Sequence, residues 1–187
     1  MEEKKVRALL FDTRSIQKYI FSGNRLKTNI GASYIVDQLF DQVLVKEVLD
    51  GERDKENKKP DEFGLTQINS TTWQKKAQAS ATEKEEEMKS LPKDCDCYVA
   101  YIGGGNALLL FSNDLKKDPR KDIVTAFTKK LLEEYPGLKT GSALGELDLS
   151  SSEKFQDTLD AMYASLKVNQ NTVFPEVNVP YTGLTLT

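Results

Sequence analysis

The sequence predicts an α+β domain, a central antiparallel sheet with amphipathic helices packed mainly on one face. Three observations carry this. Short apolar and β-branched runs, Val6–Phe11, Cys97–Ile102 and Ala107–Phe111, have the composition of buried strands. Between and after them, apolar residues recur at helical spacing in the segments around Ala32–Leu44, Val124–Leu132 and Phe155–Leu166. The run Gly103-Gly104-Gly105-Asn106 joins two of the strands as a tight hairpin. Three such helices can bury their apolar sides on one small sheet if the first strand lies beside the hairpin, which predicts Asp12 close to Gly104 and Asn106.

Taken in order, Val6–Phe11 is the first strand and Asp12 ends it. Ser15–Phe21 comes next as a short helix, broken at Ser22-Gly23-Asn24. A stronger helix starts near Gly31, with Ala32, Ile35, Val36, Leu39, Phe40, Val43 and Leu44 along one side, and stops near Asp50-Gly51. The stretch from about 51 to 94 is charged and has little apolar periodicity, so it is expected to be an insertion outside the core. Trp73 is its one large apolar anchor, and Ala77–Lys89 could form a polar helix. After the hairpin, Asp122–Tyr135 is an amphipathic helix stopped by Pro136-Gly137. Leu138–Leu147 is the next strand, and Ser151 or Ser152 caps a helix through Leu166. Val173–Thr187 is expected to add an edge strand. There is no internal repeat. The organisation expected is one domain over 1–187 carrying the insertion at about 51–94.

Composition narrows the function. Of 187 residues, 39% are hydrophobic and 29% charged, enough apolar material for a core. The net charge of -3 provides no global basic field to draw the chain onto nucleic acid. The chain has no histidine, which removes the usual triads and the commonest general base, so any catalysis must use carboxylates, lysines or metal ions. Cys95 and Cys97 are poorly spaced to bridge each other and lack companions for a zinc tetrahedron, so a structural role is expected. The first residues run directly into a strand without a signal-peptide core, and no stretch approaches the roughly 20 apolar residues of a membrane span. A cytoplasmic location and no membrane partner are therefore expected.

Three constellations could carry chemistry. Asp12 and the loop after it, with Ser15 and Gln17, place a carboxylate at the end of a buried strand that feeds a helix. Such a carboxylate can hold Mg²⁺ while helix N–H groups face phosphate; equally, Asp12 could simply cap the helix. Gly103, Gly104, Gly105 and Asn106 would let a ligand approach the backbone closely, or form an ordinary hairpin turn. No Gly-Lys-Ser/Thr follows, and a strand follows instead of a helix, so the turn is neither a P-loop nor a dinucleotide fingerprint. Gly31-Ala32-Ser33, opening the long helix, would leave room for a flat base at Ser33, or serve a close helix-to-sheet contact.

Together the segments Asp12-Thr13-Arg14-Ser15-Ile16-Gln17-Lys18-Tyr19-Ile20-Phe21, Gly31–Leu39 and Tyr101–Phe111 resemble the palm of the type III CRISPR effector large subunit. Glu134–Lys139 and Tyr181-Thr182-Gly183-Leu184 are similar too, while the 51–94 stretch has no counterpart. The resemblance implies a ferredoxin-like palm related to GGDEF domains, nucleotidyl cyclases and polymerases. That family carries two palms; the active one has Gly-Gly-Asp-Asp in its turn and makes cyclic oligoadenylates from ATP. This chain has Gly105-Asn106 at the acidic positions and so resembles the inactive first palm. The resemblance therefore implies a catalytically degenerate, nucleotide-binding scaffold, with Asp12, Ser15, Gln17, Ser33 and Gly103 to Asn106 facing nucleotide. Asp12 would be a weak ligand to Mg²⁺ brought by ATP. The implied partners are the other type III subunits, a second palm and, indirectly, guide and target RNA. The alternatives are a stand-alone cyclase or polymerase using Asp12 with Glu146 or Asp148, and a purely structural interaction module. The chain would be a fragment of a longer protein or a short relative.

Overall fold

The computed structural model describes residues 5–21, 25–51, 62–69 and 95–173. The expected edge strand at Val173–Thr187, the Trp73 anchor and the polar helix at Ala77–Lys89 lie outside them, apart from Val173 itself.

The described chain begins with strand β1 (Lys5–Arg14), then a one-turn helix α1 (Ile16–Ile20) and helix α2 (Leu26–Gln38), which runs directly into a π-helical segment (Leu39–Leu49). A two-residue strand β2 (Ile68–Asn69) precedes the hairpin of β3 (Cys97–Gly103) and β4 (Asn106–Phe111). Helix α3 (Arg120–Glu134), strand β5 (Lys139–Asp148) and helix α4 (Ser152–Val173) complete it. The strands form one five-stranded sheet in the order β2-β3-β4-β1-β5. All neighbours are antiparallel except β2, which joins β3 in parallel. Without β2, the strand–helix–strand–strand–helix–strand order is the ferredoxin-like arrangement that the resemblance implied.

Alternation along the strands separates two apolar layers. Leu9 and Phe11 of β1, Val99 of β3 and Leu109 and Phe111 of β4 pack with the π-helical segment and with Ile123, Phe127 and Leu131 of α3. At the centre of this layer Phe11, Phe40 and Phe127 are in mutual contact, with ring centroids 5.1 to 6.1 Å apart. On the opposite face Val6, Ala8 and Leu10 pack with Leu108, Leu110, Leu147 and Met162, and α4 covers them. Met162 approaches β5 so closely that a Cβ at Gly145 would stand 2.7 Å from its Cγ. The helices are thus mainly, though not wholly, on one face.

Three expectations are corrected. The long helix starts at Leu26, not near Gly31. Its first turns carry Leu26, Ile30 and Tyr34 on an exposed side, so the core-directed spacing becomes visible only from Val36. Beyond Gln38 the helix widens, and the Asp50 N–H donates to the Val45 carbonyl five residues back at 2.7 Å. The buried positions there, 39–40, 43–45 and 48–49, recur every four to five residues, as i→i+5 bonding requires. Second, the 51–94 stretch is not wholly outside the core: Phe63 and Leu65 are buried in the larger apolar layer, and β2 extends the sheet. Asp96 anchors this return, its carboxylate accepting from the Thr66 N–H at 2.6 Å and the Gln67 N–H at 3.0 Å. Third, the last helix continues to Val173, with the Ser151 hydroxyl accepting from the Lys154 N–H at 3.2 Å at its start.

Cys95 and Cys97 are free, buried thiols. Burial pushes the Cys95 thiol up, and it donates to the Cys97 carbonyl at 2.9 Å. Among the described residues no three His, Cys, Asp or Glu side chains gather where they could hold a metal ion.

Candidate functional site

The site predicted by the sequence lies at one end of the sheet, where β1 meets the hairpin. Asp12 does not end its strand; β1 continues to Arg14, and Asp12 stands opposite Asn106 of β4 and Gly141 of β5. Residues directly opposite share a face, so Asp12 and Asn106 lie on the α4 side of the sheet, in line with Ala8 and Leu10. The Thr13 N–H donates to the Gly105 carbonyl at 2.8 Å and ties the strand to the turn.

The turn itself is a two-residue hairpin. Gly104 and Gly105 have φ of 60° and 83°, and positive φ at both central positions matches the twist of the flanking strands. Gly103 and Asn106 close the ladder as partners. The space left at Gly103 and Gly105 is taken by the chain's own side chains. A Cβ at Gly105 would meet Ile16 Cδ1 at 2.5 Å, and one at Gly103 would meet the Tyr101 hydroxyl at 2.8 Å. Gly105 therefore lets α1 settle against the hairpin, and Gly103 lets the Tyr101 ring fold over it.

Ser15 links β1 to α1 in the left-handed region, with φ 54° and ψ 37°, the one described non-glycine residue there. Such a conformation costs free energy in a non-glycine residue and concentrates at functional turns. Ser15 makes no side-chain cap, and its carbonyl accepts from the Tyr19 N–H at 2.9 Å. Gln17 is exposed on α1 and accepts from the Phe21 N–H through its carbonyl at 2.9 Å. Asp12 is held within β1 and does not act as the N-cap of α1, so the capping alternative does not describe it.

Ser33 is placed differently from the expectation. It is exposed in the middle of α2, and a Cβ at Gly31 beside it would meet nothing within 4 Å. The Gly31-Ala32-Ser33 run neither opens a helix nor makes the close helix-to-sheet contact.

The structure adds residues that sequence reasoning missed. Tyr163 of α4 is half-buried, and burial, the neighbouring Tyr101 hydroxyl and the Asp12 charge all raise its hydroxyl above the ordinary tyrosine range. Asp12, Tyr101 and Tyr163 are thus electrostatic neighbours. Among the described residues, two buried side-chain oxygens have no hydrogen-bond partner: Asn106 Oδ1, on the Asp12 side of the sheet, and Thr13 Oγ1, on the other side of the same strand end. An unpaired buried oxygen is costly, and one that faces a site is a ready acceptor or ion ligand. Strand alternation could have drawn Tyr101 to the Asp12 face; nothing local in the sequence marks Tyr163.

Among the described residues, no second carboxylate stands beside Asp12, whereas a two-metal centre needs several around ions about 3.5–4 Å apart. Asp12 faces an amide and a glycine. Glu146 and Asp148, the partners the alternative enzyme would need, are opposite Arg7 and Lys5, five and seven positions back along β1. At a strand rise of 3.3 Å that is roughly 17 Å or more from Asp12.

No family model and no curated protein matches the sequence. In fold, the chain is similar to a crystal structure of a Csm1–Csm4 cassette in complex with one ATP, with a TM-score of 0.54 and 14% identity over 89% of this chain. A structure of the apo Csm1–Csm4 cassette matches with a TM-score of 0.53 and 14% identity, again over 89% of this chain. In both, the match covers 19% of the solved chain, so this chain spans about a fifth of its length. The likeness establishes the fold, a palm-like α+β domain.

Proposed function

We propose that this chain is a palm domain of a type III CRISPR large subunit, degenerate at its metal site, which holds ATP beside a second palm and scaffolds neighbouring subunits. One observation carries the reading: a fold similar to part of a cassette solved with ATP brings a single carboxylate, Asp12, opposite Asn106 at the hairpin. In this reading Asp12 and the amide oxygen of Asn106 supply oxygen ligands to one Mg²⁺ that arrives with the nucleotide. Mg²⁺ keeps most of its water and binds weakly without substrate phosphates. The ion supplies charge screening at the phosphates; the protein residues position them. In this reading Ser15, Gln17 and the backbone of Gly103 to Gly105 would contact the nucleotide, with Tyr101 and the half-buried Tyr163 as flat walls near Asp12.

The same residues argue against turnover by the chain alone. Attack of a hydroxyl on an α-phosphate needs a second ion to lower the hydroxyl's pKa and stabilise the developing charge. Asn106 is neutral where a carboxylate would be required. Synthesis of cyclic oligoadenylate then depends on the partner palm, and contact with guide and target RNA runs through other subunits.

An exposed apolar stripe supports the scaffolding part. Leu26, Ile30 and Tyr34 recur every four residues along α2 and are 76%, 61% and 66% exposed, with Phe21 nearby in the chain at 67%. A second palm is the partner we assign to it. No helix among the described residues is long and apolar enough to cross a membrane.

The test is incubation of the purified chain with ATP and Mg²⁺ or Mn²⁺, alone and with a Gly-Gly-Asp-Asp palm. The expected result is saturable ATP binding, weakened by Asp12→Ala, and no oligoadenylate from the chain alone. Oligoadenylate made by the isolated chain and abolished by Asp12→Ala would identify a stand-alone enzyme instead. Failure to bind ATP both alone and with the second palm would remove the nucleotide role.

A further inference from the structure

Helix α2 packs against α1 and the π-helical segment, and Val36 is its one buried residue. On its outer side Lys27, Ile30, Tyr34 and Asp37 are all exposed. They follow at spacings of three, four and three residues, which puts them on one face of the helix. The order is cation, apolar, apolar, anion, and it is symmetric about Ala32. Lys27 sits in the first turn, where the helix dipole disfavours a cation and no acidic residue offsets it. The middle of the helix is the small-residue run Gly31-Ala32-Ser33, and a Cβ at Gly31 would meet nothing within 4 Å. Glycine inside a helix weakens it, so an exposed one there suits the close approach of another backbone.

We infer that this face of α2 is the interface of a symmetric dimer, in which a second copy of the chain lays its own α2 antiparallel along it. A two-fold axis at Ala32 sets Lys27 opposite the partner's Asp37 and Ile30 opposite the partner's Tyr34, and every contact is made twice. Parallel pairing would set like charges against each other, so the charges select the antiparallel arrangement. A wholly acidic partner would satisfy Lys27 and repel Asp37; self-pairing satisfies both. Leu26, also exposed, extends the apolar area toward each end. A helix of 13 residues is about 20 Å long, so the interface is small and the dimer forms with rising concentration. The inference rests on the scaffolding part of the reading above and deepens it, since the palm on this stripe is a second copy of the chain.

The experiment is sedimentation equilibrium of the full chain over a wide concentration range, without nucleotide. A monomer–dimer equilibrium is expected. Ile30→Asp should abolish it while leaving the circular dichroism spectrum and thermal midpoint of the monomer unchanged, because the residue is exposed. Lys27→Glu and Asp37→Lys should each weaken the dimer about tenfold, since each repeats its like-charge contact in both halves. An equimolar mixture of these two variants should dimerise about as well as the unaltered protein, because every pair is then of opposite sign. A chain that stays monomeric, or a dimer indifferent to Ile30→Asp, overturns the inference. Failure of the mixture to recover overturns the antiparallel register. If the chain is monomeric and a Gly-Gly-Asp-Asp palm binds it through Ile30, the scaffolding reading survives and this inference falls. If the dimer forms through Ile30 while the chain binds no ATP, the inference stands and the nucleotide role falls.

Discussion

The two faces of the sheet use the same strands and differ in how far their apolar packing extends. On the α2–α3 face it reaches the hairpin: Phe11, Ala107 and Ile102 continue the layer to the turn, and Ile16 closes it against Gly105. On the α4 face the apolar run of Val6, Ala8 and Leu10 gives way, at the next two positions of the same alternation, to Asp12 and Arg14. Asn106, Tyr101 and Tyr163 surround that change. One face stabilises the domain, and the other exposes polar groups on a rigid frame. Because neighbouring residues of a strand point to opposite faces, Thr13 belongs to one face and Asp12 to the other, though they are adjacent in sequence.

The contrast can be broken most severely at the aromatic centre. Phe127→Ala removes a fully buried ring in contact with Phe11 and Phe40, and should cost about 3–5 kcal/mol in urea unfolding. A loss below about 2 kcal/mol would show that this face is less tightly packed than its contacts imply.

On the α4 face the corresponding sensitive point is steric. Gly145→Val places atoms where Met162 Cγ and Sδ stand 2.7 and 2.9 Å from a Cβ, and should cost about 1–3 kcal/mol. Met162→Ala in the same chain should recover part of the loss, which a double-mutant cycle measures. Additive losses would mean that α4 does not rest on β5 at this residue.

A smaller effect should separate the polar corner from both cores. Asn106→Asp sets two carboxylates opposite each other and should lower stability at neutral pH by about 1 kcal/mol. Mutual repulsion raises their folded-state pKa values above those in the unfolded chain. The loss should therefore be absent below the ordinary carboxylate range and grow as pH rises through it. Added Mg²⁺ or Mn²⁺ should reverse it. Indifference to both pH and metal would place the two side chains out of each other's reach.

The smallest effect concerns the link between faces. Arg120 Nη1 donates to the carbonyls of Ala8 at 3.1 Å and Gly145 at 2.6 Å, while Nη2 pairs with Asp118 at 2.7 Å. The Arg120 hydrogen bond, working against partial burial, holds the Asp118 carboxyl below its usual range. A lowered folded-state pKa means that the stabilisation is present above the ordinary aspartate value and is lost as pH falls through the lowered one. The urea midpoint of Asp118→Asn should lie slightly below that of the unaltered protein at neutral pH and converge with it in acid. A gap that persists at low pH would assign the effect to something other than this ion pair.

The sequence by itself determined what depends on neighbours along the chain. The strand at Val6–Phe11 and the hairpin arise from β-branched and apolar runs and from a turn whose positive φ values only glycine adopts easily. The placement of Asp12 beside Asn106 was legible too, since few sheets can bury three amphipathic helices and keep these strands apart. That an amide, Asn106, stands opposite Asp12 was legible because it is a matter of residue identity at the turn. Only the tertiary structure decided the rest. Helix spacing could not reveal where α2 begins, because its first turns present apolar residues outward, nor that it widens into i→i+5 bonding, which trades local geometry for packing. Phe63 and Leu65 looked like part of a polar insertion because burial depends on what a segment returns to, and β2 returns to β3. Tyr163 beside Asp12, and Arg14 against Lys139, join residues far apart in the chain. Such pairs are set by strand register and helix docking, and no local preference encodes either.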